Sequence, residues 1–314
     1  MPRTTPRSRA AVVLALLVSL LLALTACGGS SSGNSAAGST SSAGAWPVTV
    51  TGDKGKLTLD HQPEKIVSMS ASATEMLFAI DAGNQVEAVD STSNYPAGVP
   101  TTDLSSFTPN AEAIAKYNPD LVVLSDDLNG IVDALGALKV PTLLLGAAKT
   151  LDDTYSQLDT LGRATGHADK ADGVVADMQK RIKAAVGSVP ADAKGQKVYH
   201  ELDPTFYSAA SSTFIGGIYS KFGLTNIADG APDPAGGYPQ LSAEYIVGQA
   251  PDLIVLADTK CCQQSAEALA QRPAFATIPA VKNGKVLAAD DDVASRWGPR
   301  VADFAESVAK ALKG

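Results

Sequence analysis

Few residues in this chain are of the types that do chemistry, and their placement narrows what that chemistry is. Cys261 and Cys262 are adjacent. Consecutive Cα atoms lie about 3.8 Å apart, below the roughly 4.4–6.8 Å that a disulfide usually spans. The pair therefore reads as a strained vicinal disulfide or as two free thiols. No histidine accompanies it, which argues against a metal site. His61, His167 and His200 are isolated, with no pair at i, i+4, whereas a zinc or manganese site gathers several ligands. Asp290-Asp291-Asp292 lacks the spaced oxygens of a calcium loop and reads as a solvated acidic loop. No Gly-x-Ser-x-Gly elbow sits between a strand and a helix, and neither a phosphate-binding Gly-x-x-x-x-Gly-Lys nor a His-Glu-x-x-His is present.

Two glutamates are left, and they occupy the same place in a motif the chain uses twice. Residues 111–124 read AEAIAKYNPDLVVL and residues 243–256 read AEYIVGQAPDLIVL, 132 residues apart and without a gap. In each copy a capping residue (Asn110 or Ser242) precedes a short apolar-periodic helix. Its first turn carries Glu112 or Glu244, where a carboxylate complements the positive end of the helix dipole. Pro119-Asp120 or Pro251-Asp252 then stops the helix. The apolar run that follows has no polar alternation, as expected of a strand covered on both faces in a parallel sheet. Two copies imply two similar α/β lobes, each presenting one acidic helix start.

The chain around them is long enough for two domains, at 314 residues with 45% hydrophobic and 18% charged. Arg3, Arg7 and Arg9 precede an apolar run that ends in Leu24-Thr25-Ala26-Cys27, the form of a bacterial lipoprotein cleavage box. Residues 1–27 are thus expected to be a signal peptide, leaving Cys27 as a lipidated N-terminus. Its loss takes the formal charge from −8 to −11. No basic patch for nucleic acid survives. Residues 28–45 are a Gly/Ser tether, spanning roughly 23 Å root-mean-square.

A hairpin pattern, VTVTGDKGKLTLD, follows Trp46 and opens an N-terminal lobe over residues 46–166. Apolar residues at helical spacing from Ala171 to Val186 predict one stiff interlobe helix, residues 167–188, across which the lobes move little. Residues 189–314 form a C-terminal lobe.

In this order the chain resembles the bacterial substrate-binding lipoproteins of ABC importers for corrinoids, ferric siderophores and haem, and is most similar to the cobalamin-binding type. The likeness covers Lys65 to Leu312 and rests on KIVSMSASATEMLFAI, the two Pro-Asp-Leu units, RPAFATIPAVKNGKVLAADDD and SRWGPRVADFAESVAKAL. The resemblance implies an α/β fold of two Rossmann-like lobes with parallel sheets joined by one long α-helix. It implies a monomer, exported and lipid-anchored to the outer face of the cell membrane. Such a protein would hand a metal-chelate ligand, with no resident cofactor or metal, to a permease dimer with its ATPase subunits. Glu112 and Glu244 match the positions implied to dock on the permease, one per subunit. Tyr95, Phe107, Phe206 and Tyr238 match aromatics that pack against a corrin ring, and Asp292 and Arg296 match a polar pair in the last pocket loop.

There are departures. Ser125-Asp126-Asp127 stands where a further cleft aromatic is expected, and only Lys260, Arg296 and Arg300 can be placed as cations near the cleft. A trianionic ferric catecholate would require more. The expectation is a receptor for a corrinoid, with a ferric siderophore or haem as the alternative. An exported α/β enzyme is the distant contrast, since it would turn its ligand over instead of releasing it unchanged.

Overall fold

The computed structural model describes residues 46–313. The signal segment, Cys27 and the tether at 28–45 lie outside the described residues. Among those described, no helix is long and apolar enough to cross a membrane.

The N-terminal lobe runs β1 (Val48–Gly52), β2 (Gly55–Leu59), β3 (Ile66–Met69), α1 (Ala71–Ala79), β4 (Val86–Val89), α2 (Ala111–Ala115), β5 (Leu121–Leu124), α3 (Ile131–Ala137), β6 (Thr142–Leu144) and α4 (Leu151–Thr165). One helix, α5 (Ala168–Gly187), crosses to the second lobe. There follow β7 (Lys197–Glu201), α6 (Phe214–Lys221), β8 (Thr225–Asn226), α7 (Ala243–Gln249), β9 (Leu253–Leu256), α8 (Thr259–Cys262), α9 (Ala266–Ala270), α10 (Pro279–Lys282), β10 (Val286–Ala288), α11 (Asp291–Ser295) and α12 (Val301–Lys313).

Each lobe is built on a four-stranded parallel sheet, ordered β4-β3-β5-β6 in the first and β10-β9-β7-β8 in the second. Every residue of β5 and β9 is buried, as a strand without polar alternation requires. The two repeat units pair in the same register: Ile66 stands opposite Leu121, and Val198 opposite Leu253. The Pro-Asp aspartates do more than end a helix. The carboxylate of Asp120 accepts the backbone N–H groups of Glu64 (2.9 Å) and Lys65 (3.0 Å), and that of Asp252 accepts the N–H of Lys197 (2.9 Å). Each clips the start of the neighbouring strand and so fixes register where sheet pairing begins.

The crossing helix is about 30 Å long at 1.5 Å per residue. Ala171, Met178, Ile182 and Ala185 form its buried stripe. They join Leu158 and Leu161 of α4 and Phe304 and Val308 of α12 in one apolar cluster that continues through both lobes. Arg181 holds α5 to α12 by a fork onto Glu306 (2.8 and 2.7 Å), with Asp303 beside it. A shared core and a charged clamp join this helix to both lobes, at the position the sequence expectation gave it. The hairpin β1–β2 packs on α4, and its turn ties the ends of β5 and β6. There the Asp53 carboxylate accepts from the N–H of Gly146 (2.8 Å), and Lys54 pairs with Asp127 (2.6 Å).

Candidate functional site

The two acidic helix starts are built alike. The side chain of Asn110 accepts from the N–H of Ala113 (2.8 Å), and Ser242 accepts from Tyr245 (3.1 Å). Ile114 and Ile246 anchor the two helices in their lobes with no exposed surface. Glu112 and Glu244 are exposed. Neither enters an ion pair among the described residues, which leaves both carboxylates available to a partner.

The lobes meet through a charge cluster at the carboxyl ends of their strands. Glu75, on α1 of the first lobe, is 2% exposed and lies between two arginines of the second. Arg296 donates to it at 3.0 Å and Arg300 at 2.9 Å. Arg296 also donates to Asn94 (2.8 Å), to the carbonyl of Thr92 (2.9 Å) and to Asp292 (2.7 Å). Asp292 in turn accepts from Asn94 (3.0 Å) and Lys260 (3.1 Å). Gly298 makes room for this arrangement, since a Cβ there would come within 3.0 Å of Glu75 Oε2. The predicted pair Asp292 and Arg296 is therefore brought together, but the guanidinium is spent on four protein acceptors. It bolts the lobes together across the floor between them and has little left to offer a ligand. Glu75, Asn94 and Arg300, missed as a group in the sequence, complete the bolt.

The predicted aromatics fare differently from one another. Phe107 is 72% exposed, Tyr95 44% and Tyr238 42%, among the few large apolar side chains left open. Tyr95 stands at the lobe junction with the Arg300 guanidinium 4.1 Å from its ring centre, beside a cavity of about 380 Å³ that Glu75 and Arg181 also line. Phe206 departs from the open position expected of it. With φ of 71° its backbone is left-handed, and its ring stacks on Phe275 at 6.0 Å beneath Arg272, half-buried against the core of its own lobe. Its neighbour Tyr207, not singled out in the sequence, is 40% exposed. A short bridge brings this segment to Tyr238: Tyr207 pairs with Gln240, the N–H of Ser208 donates to the carbonyl of Pro239 (2.9 Å), and that of Leu241 donates to Phe206 (3.0 Å).

The acidic run after β10 is also a correction, because it caps a helix instead of forming a solvated loop. Asp290 caps α11, and the Asp291 carboxylate accepts three consecutive backbone N–H groups, from Thr259 (2.7 Å), Lys260 (3.0 Å) and Cys261 (2.9 Å). Burial opposes the charge of Asp291, but these hydrogen bonds outweigh it and hold its carboxyl below the usual range. Cys261 and Cys262, left open between two states in the sequence, are joined as a vicinal disulfide.

Beneath the cystine lies a buried acid pair that the sequence did not single out. Arg272 forks onto Glu201 at 2.7 and 2.6 Å, and the Tyr199 hydroxyl donates to it at 3.0 Å. Asp258, at the end of β9, is fully buried, and neither of its oxygens meets a donor among the described residues. Burial, then the charge of Glu201, push its carboxyl up to about 7. It therefore keeps its proton below neutrality, next to Glu201.

The described residues thus form two parallel-sheet lobes on one crossing helix, with open aromatic rings on both lobes. The chain belongs to the periplasmic binding protein family, whose model matches residues 66–293. It is 28% identical to an uncharacterized ABC transporter substrate-binding lipoprotein, YvrC, of Bacillus subtilis, over 85% of this chain and 86% of that one. It is 30% identical to a cobalamin-binding protein of Halobacterium salinarum, over 82% of this chain and 71% of that one. Among solved structures, the periplasmic heme-binding protein HutB of Vibrio cholerae superposes with a TM-score of 0.71 at 22% identity, covering 80% of this chain and 99% of that one. The chain is a substrate-binding protein of a transporter and not an enzyme.

Proposed function

We propose that this chain captures a corrinoid, cobalamin-like chelate between its lobes and delivers it to an ABC permease. The observations that support the reading are the open rings, Tyr95 and Phe107 on one lobe and Tyr207 and Tyr238 on the other, and a lobe junction whose cations are already paired. A large, nearly flat, amide-rimmed ligand needs apolar faces for area and a few polar groups for orientation. A strongly anionic chelate would need free arginines or lysines, and Arg296, Arg300, Arg272 and Lys260 are each matched by carboxylates. The cobalamin-binding name of the Halobacterium relative supports the same ligand. The heme-binding name of HutB keeps haem as a second reading, with open tyrosines as ring partners.

Glu112 and Glu244 are the proposed docking points, one on each lobe, and Cys27 the proposed lipid anchor that keeps the protein at the outer face of the membrane. Calorimetry on the detergent-solubilised full chain tests the ligand, with cyanocobalamin, a hydroxamate ferric siderophore and haemin in one buffer. The reading expects tight one-to-one binding of cyanocobalamin. Binding of the siderophore or of haemin alone would overturn it.

A further inference from the structure

We infer that the Cys261–Cys262 cystine is a thiol-exchange site whose redox state sets the geometry of the second lobe's ligand face. The observations are its position and its connections. Cys261 is exposed and Cys262 half-buried, at the end of the one-turn helix α8 that follows β9. On one side the turn's amides from Thr259 to Cys261 hold Asp291, and the next residue, Asp292, receives Arg296 and Lys260 in the bolt between the lobes. On the other side, the N–H groups of Cys262 and Gln264 donate to the carbonyl of Asp258 (3.3 Å each). The Gln264 side chain bridges from the Cys262 carbonyl (3.0 Å) to Arg272 (2.7 Å), the residue that covers Phe206. The cystine thus connects by hydrogen bonds to Asp291, next to the lobe bolt, on one side, and to Arg272 over Phe206 on the other.

Cys261 is exposed, so its sulfur is the proposed point of attack for a small thiolate. Its attack breaks the Cys261–Cys262 bond, forms a mixed disulfide and expels the Cys262 thiolate, which takes up a proton. A second small thiol resolves the mixed disulfide. One small-molecule disulfide leaves, and two protein thiols remain. Two thiols are oxidised and one cystine is reduced. Opening the ring restores backbone freedom to the turn from Thr259 to Gln263, so its amides lose their common aim at Asp291.

The test is the detergent-solubilised full chain with and without millimolar glutathione, read by mass spectrometry and by amide hydrogen exchange. The expected result is two new thiols at Cys261 and Cys262. Exchange should become at least about tenfold faster across residues 259–264 and 290–296, with the N-terminal lobe unchanged. Cys261→Ser with Cys262→Ser should reproduce the fast exchange and be blind to glutathione. Two new thiols without faster exchange would overturn the inference, and so would a cystine that glutathione leaves closed. Cyanocobalamin binding, where the oxidised protein shows it, should weaken about tenfold on reduction, within the usual range for coupled sites. Failure of the oxidised protein to bind cyanocobalamin would count against the corrinoid reading alone, because the exchange measurement needs no ligand.

Discussion

The two lobes share a scaffold and differ in what it carries. Aligned on their strand registers, Ser68, Met69 and Asp126 of the first lobe correspond to His200, Glu201 and Asp258 of the second. Where the lobes agree, at the caps Asn110 and Ser242, the anchors Ile114 and Ile246 and the clips Asp120 and Asp252, the residues hold helix to sheet and leave Glu112 and Glu244 outside. Where they differ, at the carboxyl ends of the central strands, the first lobe places Ser68, Met69 and an exposed Asp126, and the second buries Glu201 and Asp258 beside a cystine. Asp126 is exposed, whereas Asp258 is fully buried. In the proposed reading, the duplicated part is the face on which a two-subunit permease acts twice, and the diverged part is the face toward a ligand that has no two-fold symmetry.

The largest effect is expected where the lobes touch. Replacing Glu75 by Ala leaves Arg296 and Arg300 without their shared buried carboxylate and should cost about 3–5 kcal/mol, as breaking a buried pair from one side does. Urea unfolding would show it, and a loss below about 1 kcal/mol would mean that the floor is held by Asn94 and Asp292 instead. On the walls, Tyr238→Ala should weaken cyanocobalamin binding by about 1–3 kcal/mol and leave the unfolding midpoint nearly in place. Phe206→Ala should do the reverse, lowering stability through its lost stack on Phe275; calorimetry and unfolding on the same two variants separate the roles.

Titration should sharpen the contrast, because the buried groups with large shifts lie in the second lobe. Burial lowers His200 to about 3, so the folded state holds fewer protons than the unfolded one between pH 3 and 6.5, and stability falls as pH drops through that window. Asp258, raised to about 7, has the opposite sign: the folded state holds the extra proton, and stability falls as pH rises from about 3.8 through 7. Asp258→Asn removes the second limb. It should raise stability at pH 8 by on the order of 1–3 kcal/mol, read from urea unfolding at pH 5 and pH 8. The smallest effect belongs to the clips. Asp120→Ala and Asp252→Ala should each cost about 0.5–2 kcal/mol, nearly alike, as lost backbone caps do. A large difference between them would mean that the repeat is not equivalent in its energetics.

Much of this was legible from spacing alone. The repeat announced two lobes, and the apolar period from Ala171 to Val186 announced the crossing helix, because both depend on local pattern. The exposed glutamates Glu112 and Glu244, proposed to dock, were visible for the same reason, as a first-turn carboxylate is a local feature. The bolt was not, since Glu75 and Arg296 are 221 residues apart and nothing in either neighbourhood names the other. Nor was the difference between Phe206 and Tyr207. Adjacent rings on an irregular segment point opposite ways, and only the left-handed turn at Phe206 and the bridge to Gln240 decide which is covered. Asp258 reads in sequence like any aspartate after a strand; its raised pKa comes from its burial and then from Glu201, on a strand that pairs with its own.

The division between a duplicated docking face and a diverged ligand face is tested most directly by reversing both duplicated charges, Glu112→Arg with Glu244→Arg. Cyanocobalamin binding to the isolated protein and cyanocobalamin uptake by cells should be measured on that one variant. The account predicts unchanged affinity and abolished uptake. Normal uptake, or a loss of binding that matches the loss of uptake, would contradict it.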